Sequence, residues 1–190
     1  NAWFVDSDGL VKKSPHNLAL RSEDLTNGWS TFNGSVSANA SASPSGEITA
    51  DKFVIDDSAT VSGPTRQVGG LDDSVDVAVS VYLKAAGATV VNVQFYNKAN
   101  TFHGSGNYNL TTGTRTQNPT SGTKSSIENV GNGWYRITFT GLNTGTGGTT
   151  PNFRVVCNET GDGSKGYLVW GGQLSQHPPL PVGNPYVKTE

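Results

Sequence analysis

Residues 131–140, GNGWYRITFT, decide how the rest of the chain is read. Gly131, Asn132 and Gly133 make a turn signal of the kind that joins antiparallel strands, because Gly and Asn accept positive φ at little cost. Beyond the turn, Tyr135, Ile137 and Phe139 fall on one side and Trp134, Arg136 and Thr138 on the other. A period of two is strand geometry, with successive side chains on opposite faces. The Tyr-Ile-Phe side is therefore predicted core, and the Trp-Arg side poses the functional question.

The same period recurs along the chain. It is clear in VDVAVSVYLKA (75–85), TVVNVQFYN (89–97), NFRVVCN (152–158) and GYLVWGGQL (166–174), and weaker in VSANA, EITADKFVI, GNYNLTT and KSSIENV. Clusters rich in Gly, Asn and Pro separate the segments. Nine or more short strands with such turns predict an all-β fold, an antiparallel β-sandwich of the jelly-roll kind. Helical periodicity is confined to NLALRSEDLTNGWS (17–30), which predicts one or two turns before Gly28. The expected organisation is a lead-in segment over 1–16 and one sandwich domain over 17–190.

Composition narrows the function classes. The 190 residues carry a net charge of −2 with 15% charged side chains, and no basic run offers a footprint for a phosphate backbone. Nucleic acid is not an expected partner, and no apolar run approaches the roughly 18 to 20 residues of a membrane helix. Without an initiator Met, the sequence is expected to be a processed product or a piece of a larger parent. With one cysteine, Cys157, no internal disulfide can form; it falls on an inward position and is expected to be a buried, inert thiol.

Sorting the other strands by period gives Val79, Val81, Leu83, Val91, Val93, Phe95, Phe153, Val155 and Cys157 inward. The outward set contains Tyr82, Lys84, Asn92, Gln94, Tyr96, Trp134, Arg136 and Arg154. Planar rings among fixed donors suit a saccharide: rings cover the C–H face of a pyranose, and amide and guanidinium groups bond its hydroxyls. These eight residues are the candidate ligand-binding set. The competing reading is packing, since aromatic residues favour strands and stack across them. It bears most on Trp134, beside its turn. Phe102 and His103, in KANTFHGSGN, are candidates for rim contacts, but the favoured reading of this stretch is a solvated loop.

Three segments carry a resemblance to a known family. NLALRSEDLTNGWSTFNGSVSANASASPSGEITADKF resembles the start of jelly-roll modules of phage tail and other virion proteins, where an Asn-Leu pair, a Ser-Glu-Asp motif and a Trp precede a Pro-Ser-Gly turn. GNGWYRITFT resembles their late strand, and GYLVWGGQLSQHPPLPVGNPYVKTE their closing strand and exit. Such modules are similar to carbohydrate-binding modules of the family 4 and family 22 type, which bind glycans on a concave sheet and often hold a structural calcium. The resemblance implies binding on the outward set. It also implies a calcium, although WGGQL stands where those modules carry an Asp; Glu47 and the pair Asp56 and Asp57 are the candidate ligands.

Catalysis has little support in the sequence. A glycosidase needs two opposed carboxylates, and the acids lie mainly in turns. His16, His103 and His177 share no metal-ligand spacing. The expected function is non-catalytic glycan binding on a phage virion or tail, with a surface polysaccharide and other virion subunits as partners, in a homotrimer if the domain belongs to a fibre. The alternatives are a structural virion domain without glycan binding, or an accessory module of a polysaccharide-degrading enzyme.

Overall fold

The computed structural model describes residues 17–117, 123–176 and 186–190, and the backbone alone at 3–5 and 11–13. In chain order the strands are β1 (Trp3–Val5), β2 (Val11–Lys13), β3 (Ser30–Phe32), β4 (Gly34–Ser41), β5 (Ala50–Ile55), β6 (Gly63–Gln67) and β7 (Asp76–Ala86). They continue with β8 (Val90–Tyr96), β9 (Phe102–Asn109), β10 (Thr114–Arg115), β11 (Lys124–Gly131), β12 (Trp134–Asn143), β13 (Asn152–Cys157) and β14 (Gly166–Gln176). Apart from the β1–β2 pair they form two six-stranded sheets. The front sheet has the order β10-β9-β8-β13-β6-β3 and the back sheet β11-β12-β7-β14-β5-β4, with antiparallel pairing between neighbours throughout.

The predicted β-sandwich is the observed fold. One apolar cluster fills the space between the sheets, and the inward residues sorted from β7, β8, β12 and β13 all belong to it. Tyr167 of β14 is fully enclosed and donates across the core to the carbonyl of Val155 in β13 at 2.7 Å, joining the two sheets. Cys157 is buried with Sγ 3.4 Å from the carbonyl of Val90, and burial raises its thiol pKa. The opening turn is as read: Gly131, Asn132 and Gly133 all have positive φ, at 94°, 52° and 77°, and they join β11 to β12.

The helical expectation for 17–30 is corrected. Among the described residues there is no helix, and this segment runs as turns tied by its own side chains to the end of the chain. The side-chain carbonyl of Asn17 accepts from the amides of Ala19 and Leu174, and its amide donates to the carbonyls of Gly172 and Val187. Arg21 has φ 57°, and the Asp24 carboxylate accepts from the Thr26 amide. Side-chain bonding of this kind competes with helix formation. Trp29 donates to the carbonyl of Arg21 and meets Phe153 edge-on, its ring centroid 5.7 Å away, so the 17–30 segment closes one edge of the core.

Candidate functional site on the front sheet

Sheet order divides the eight candidate residues. Tyr82 and Lys84 on β7, with Trp134 and Arg136 on β12, face outward from the back sheet; Asn92, Gln94 and Tyr96 on β8, with Arg154 on β13, face outward from the front sheet. The expectation of one surface spread over four strands is therefore corrected: the residues occupy two faces on opposite sides of the sandwich. Period two assigns each side chain to a face but carries no information about which strands share a sheet.

The two faces differ in kind. On the back sheet, Trp134 is 1% exposed, Arg136 7% and Tyr82 9%. Trp134, Tyr82, Leu168, Trp170 and Ala50 make a second apolar cluster, packed by Tyr186. The indole of Trp134 donates to the carbonyl of Ala42 at 3.2 Å, and that of Trp170 to the Thr49 hydroxyl at 3.0 Å. Arg136 lies 5.6 Å from the centre of the Tyr82 ring. Only Lys84 of this group is part-exposed. Rings enclosed in this way cannot lie against a sugar without first being uncovered.

The front face is polar and less enclosed. Register sets Ser105, Gln94, Arg154, Thr65 and Ser30 directly opposite one another across β9, β8, β13, β6 and β3. One row along, Phe102, Tyr96, Asn152 and Gln67 align, and on the other side Asn107, Asn92 and Val156. Tyr96 is the organising ring. The Arg154 guanidinium lies 4.3 Å from its centre, the Phe102 ring meets it edge-on at 5.4 Å, and Arg154 Nε donates to Asn152 Oδ1 at 2.7 Å. What is offered is thus a fixed Tyr–Arg stack rather than a bare ring. Beyond it Asn92 donates to Asn107, whose own amide donates to Gln117 at 2.8 Å. Asn92 is 7% exposed, yet its Oδ1 has no hydrogen-bond partner, and neither has Thr65 Oγ1.

At the Asn92 end the face opens into a cavity of about 160 Å³ lined by Val90, Val91, Asn92, Asn107, Asn158 and Glu159. Glu159 is already engaged. Its Oε1 accepts from the amides of Thr89 and Val90 and from the Thr89 hydroxyl, and Oε2 pairs with Lys165 at 2.6 Å. Burial alone would raise its pKa, but these bonds outweigh burial and hold it at about 2.

Sequence reasoning missed Ser105, Asn107, Asn152 and Thr65. The signal for Asn152 was present, two residues before Arg154 on the same strand; β9 had only a weak alternation because Gly104 and Gly106 occupy its inward positions. Phe102 opens strand β9 where a loop was the favoured reading, and it is 40% exposed beside Tyr96. His103 instead turns toward β12, accepting from the Asn143 amide at 3.4 Å. Glu47 lies in the turn after β4 and Asp56 and Asp57 in the loop after β5, all exposed. Among the described residues, no three His, Cys, Asp or Glu side chains gather closely enough to hold a metal. Asp6, Asp8, His16 and His177 lie outside the described residues.

No family model matches the chain, and no curated protein sequence matches it. Solved structures do. The chain is similar to the Stig cyclase Fisc from Fischerella sp. TAU, determined with a pyrrolidinylidene-indole, at TM-score 0.57 and 11% identity over 88% of this chain and 100% of that one. It is similar to part of the arabinose-bound MgGH51 α-L-arabinofuranosidase at TM-score 0.53 and 12% identity, covering 87% of this chain and 25% of that chain. It is similar also to part of the enzymatically active domain of tailspike protein 4 of bacteriophage CBA120, at TM-score 0.51 and 11% identity, covering 84% and 21%. At such identities the likeness is one of fold.

Proposed function

We propose that this is a non-catalytic carbohydrate-binding domain of a phage virion or tail protein, which takes a surface glycan along the outer face of its front sheet. The observation that carries the reading is the Tyr96–Arg154 stack set among the amide side chains of Gln94, Asn152 and Asn107. Fold likeness to a part of a tailspike and to a part of an arabinofuranosidase accords with it, as do the motifs resembling virion jelly-roll modules. Glycosidase chemistry needs two opposed carboxylates. The acid at this face, Glu159, has its oxygens occupied by four donors and holds no free proton near neutral pH. A shallow polar face binds weakly per site, so display in several copies on a particle supplies the avidity.

The test is a glycan array followed by titration with wild type and Tyr96→Ala. The wild type retains at least one polysaccharide at millimolar or lower concentration, and Tyr96→Ala, with unchanged circular dichroism, loses about tenfold or more in affinity, as removal of the ring that holds Arg154 in place should. An array on which the wild type retains nothing, or a folded Tyr96→Ala that binds as the wild type does, overturns the reading.

A further inference from the structure

Among the described residues, the front face carries a charge at Arg154 that no acid answers. Arg154 sits in the middle of the sheet, held from below by Tyr96 and from the side by Asn152 through Nε. Among the described residues no carboxylate pairs with it. The ion pairs nearest this face, Lys165 with Glu159 at one end and Lys98 with Asp73 at the other, are each complete. Its strand neighbours Gln94 and Thr65 are neutral. With Nε taken, the two terminal nitrogens present the end-on fork that matches a carboxylate or a sulfate. Because the guanidinium is stacked and anchored, little side-chain freedom is left to lose on binding.

From this geometry we propose that the glycan is anionic, and that a uronate carboxylate or a sulfate group of the chain seats on Arg154 while neighbouring hydroxyls bond the amides of Asn92, Gln94 and Asn107. The proposal rests on the saccharide reading above and narrows its ligand. The molecule's overall charge makes the idea sharp. With a net charge of −2, the protein as a whole repels a polyanion, so a preference for an acidic glycan over its neutral counterpart must come from a local cation.

The experiment compares matched pairs by isothermal titration: polygalacturonate against its carboxyl-reduced form, alginate against its carboxyl-reduced form, and dextran sulfate against dextran. Each is run with wild type, Arg154→Gln and Arg154→Lys. The wild type binds the acidic member of at least one pair about tenfold tighter, with the preference shrinking as salt is raised. Arg154→Lys keeps part of that preference and Arg154→Gln binds both members alike, while thermal melting shows both variants folded. The sulfate arm separates the two anions: a preference confined to the uronates identifies the carboxylate as the seated group. Equal wild-type binding to both members of every pair overturns this inference and leaves the saccharide reading standing. Binding to none of these pairs overturns the anionic inference, the saccharide reading falling only if the array is also empty, and a preference that survives in Arg154→Gln overturns the assignment to this residue.

Discussion

Glu159 shows how one side chain can be spent on structure at the edge of a candidate site. Burial disfavours its charge, yet two backbone amides, a hydroxyl and the Lys165 ammonium favour it more, and its pKa falls to about 2. A folded-state pKa below the unfolded value of about 4.3 means that the group stabilises the fold above that pH and loses its contribution as pH falls toward 2. Solvent reaches part of the carboxylate and screens its pairing, so the contribution at neutral pH is about 2 kcal/mol rather than the full linkage value. Urea unfolding of wild type and Glu159→Gln at pH 7, 4 and 2.5 checks this. The variant is expected to be less stable by about 2 kcal/mol at pH 7, with the difference shrinking toward zero at pH 2.5. A difference independent of pH would show that the carboxylate's charge is not what matters. Tyr96 and Arg154 stand in contrast: their geometry is as fixed as that of Glu159, but their remaining hydrogen-bonding capacity faces outward.

The element that best joins sequence to architecture is β14. Its register with β7 slips between Trp170 and Gln173, a bulge made by Gly171 and Gly172. Gly171 has φ 62°, and a Cβ there would lie 3.0 Å from Tyr82 and 3.2 Å from Tyr186; one on Gly172 would lie 2.9 Å from Trp29. The two glycines thus let aromatic rings press on the backbone from both faces, a local reason for WGGQL where a metal-binding Asp was looked for. Gly171→Ala should cost about 1–2 kcal/mol from the left-handed backbone alone, read as a lower urea midpoint at unchanged slope; an unaltered midpoint would mean the bulge shifts freely. Alternation in β7, β8, β12 and β13 was legible because inward apolar residues repeat over at least three positions. The strands β3, β6 and β10 were not, being two to five residues long, with Pro64 inside β6. The partition of strands between sheets was illegible for a deeper reason: pairing partners lie far apart in the chain, as with β14 and β7, and local period says nothing of them. Of the motifs of the virion resemblance, Asn17 and Ser22 tie this early segment to residues 172–189 and Trp29 packs on Phe153, which is why they speak of fold rather than ligand.

At the scale of the whole molecule, the sandwich has one closed outer face and one open one. Residues 186–190 do part of the closing. The ring of Tyr186 lies 4.5 Å from that of Trp170 and 6.1 Å from that of Tyr82, and its hydroxyl pairs with Ser22. Thr189 bonds Ser22 and the carbonyl of Ala19, and Lys188 pairs with Glu23 at 3.2 Å. The aromatic cluster of β7, β12 and β14 therefore acts as a second core over the middle of the back sheet, and the reading above puts recognition on the front sheet. Tyr186→Ala separates these roles. It removes the ring that covers Trp170 and should cost about 2 kcal/mol, lowering the melting temperature by about 4–8 °C for a chain of this size, with a red shift in Trp emission as Trp170 meets water. Affinity for a glycan held by the front face should stay within twofold of the wild type, because Tyr186 packs on the back sheet and bonds Ser22. Loss of glycan binding in a variant that keeps its fold would move the site to the back sheet, where Tyr82, Trp134 and Arg136 lie.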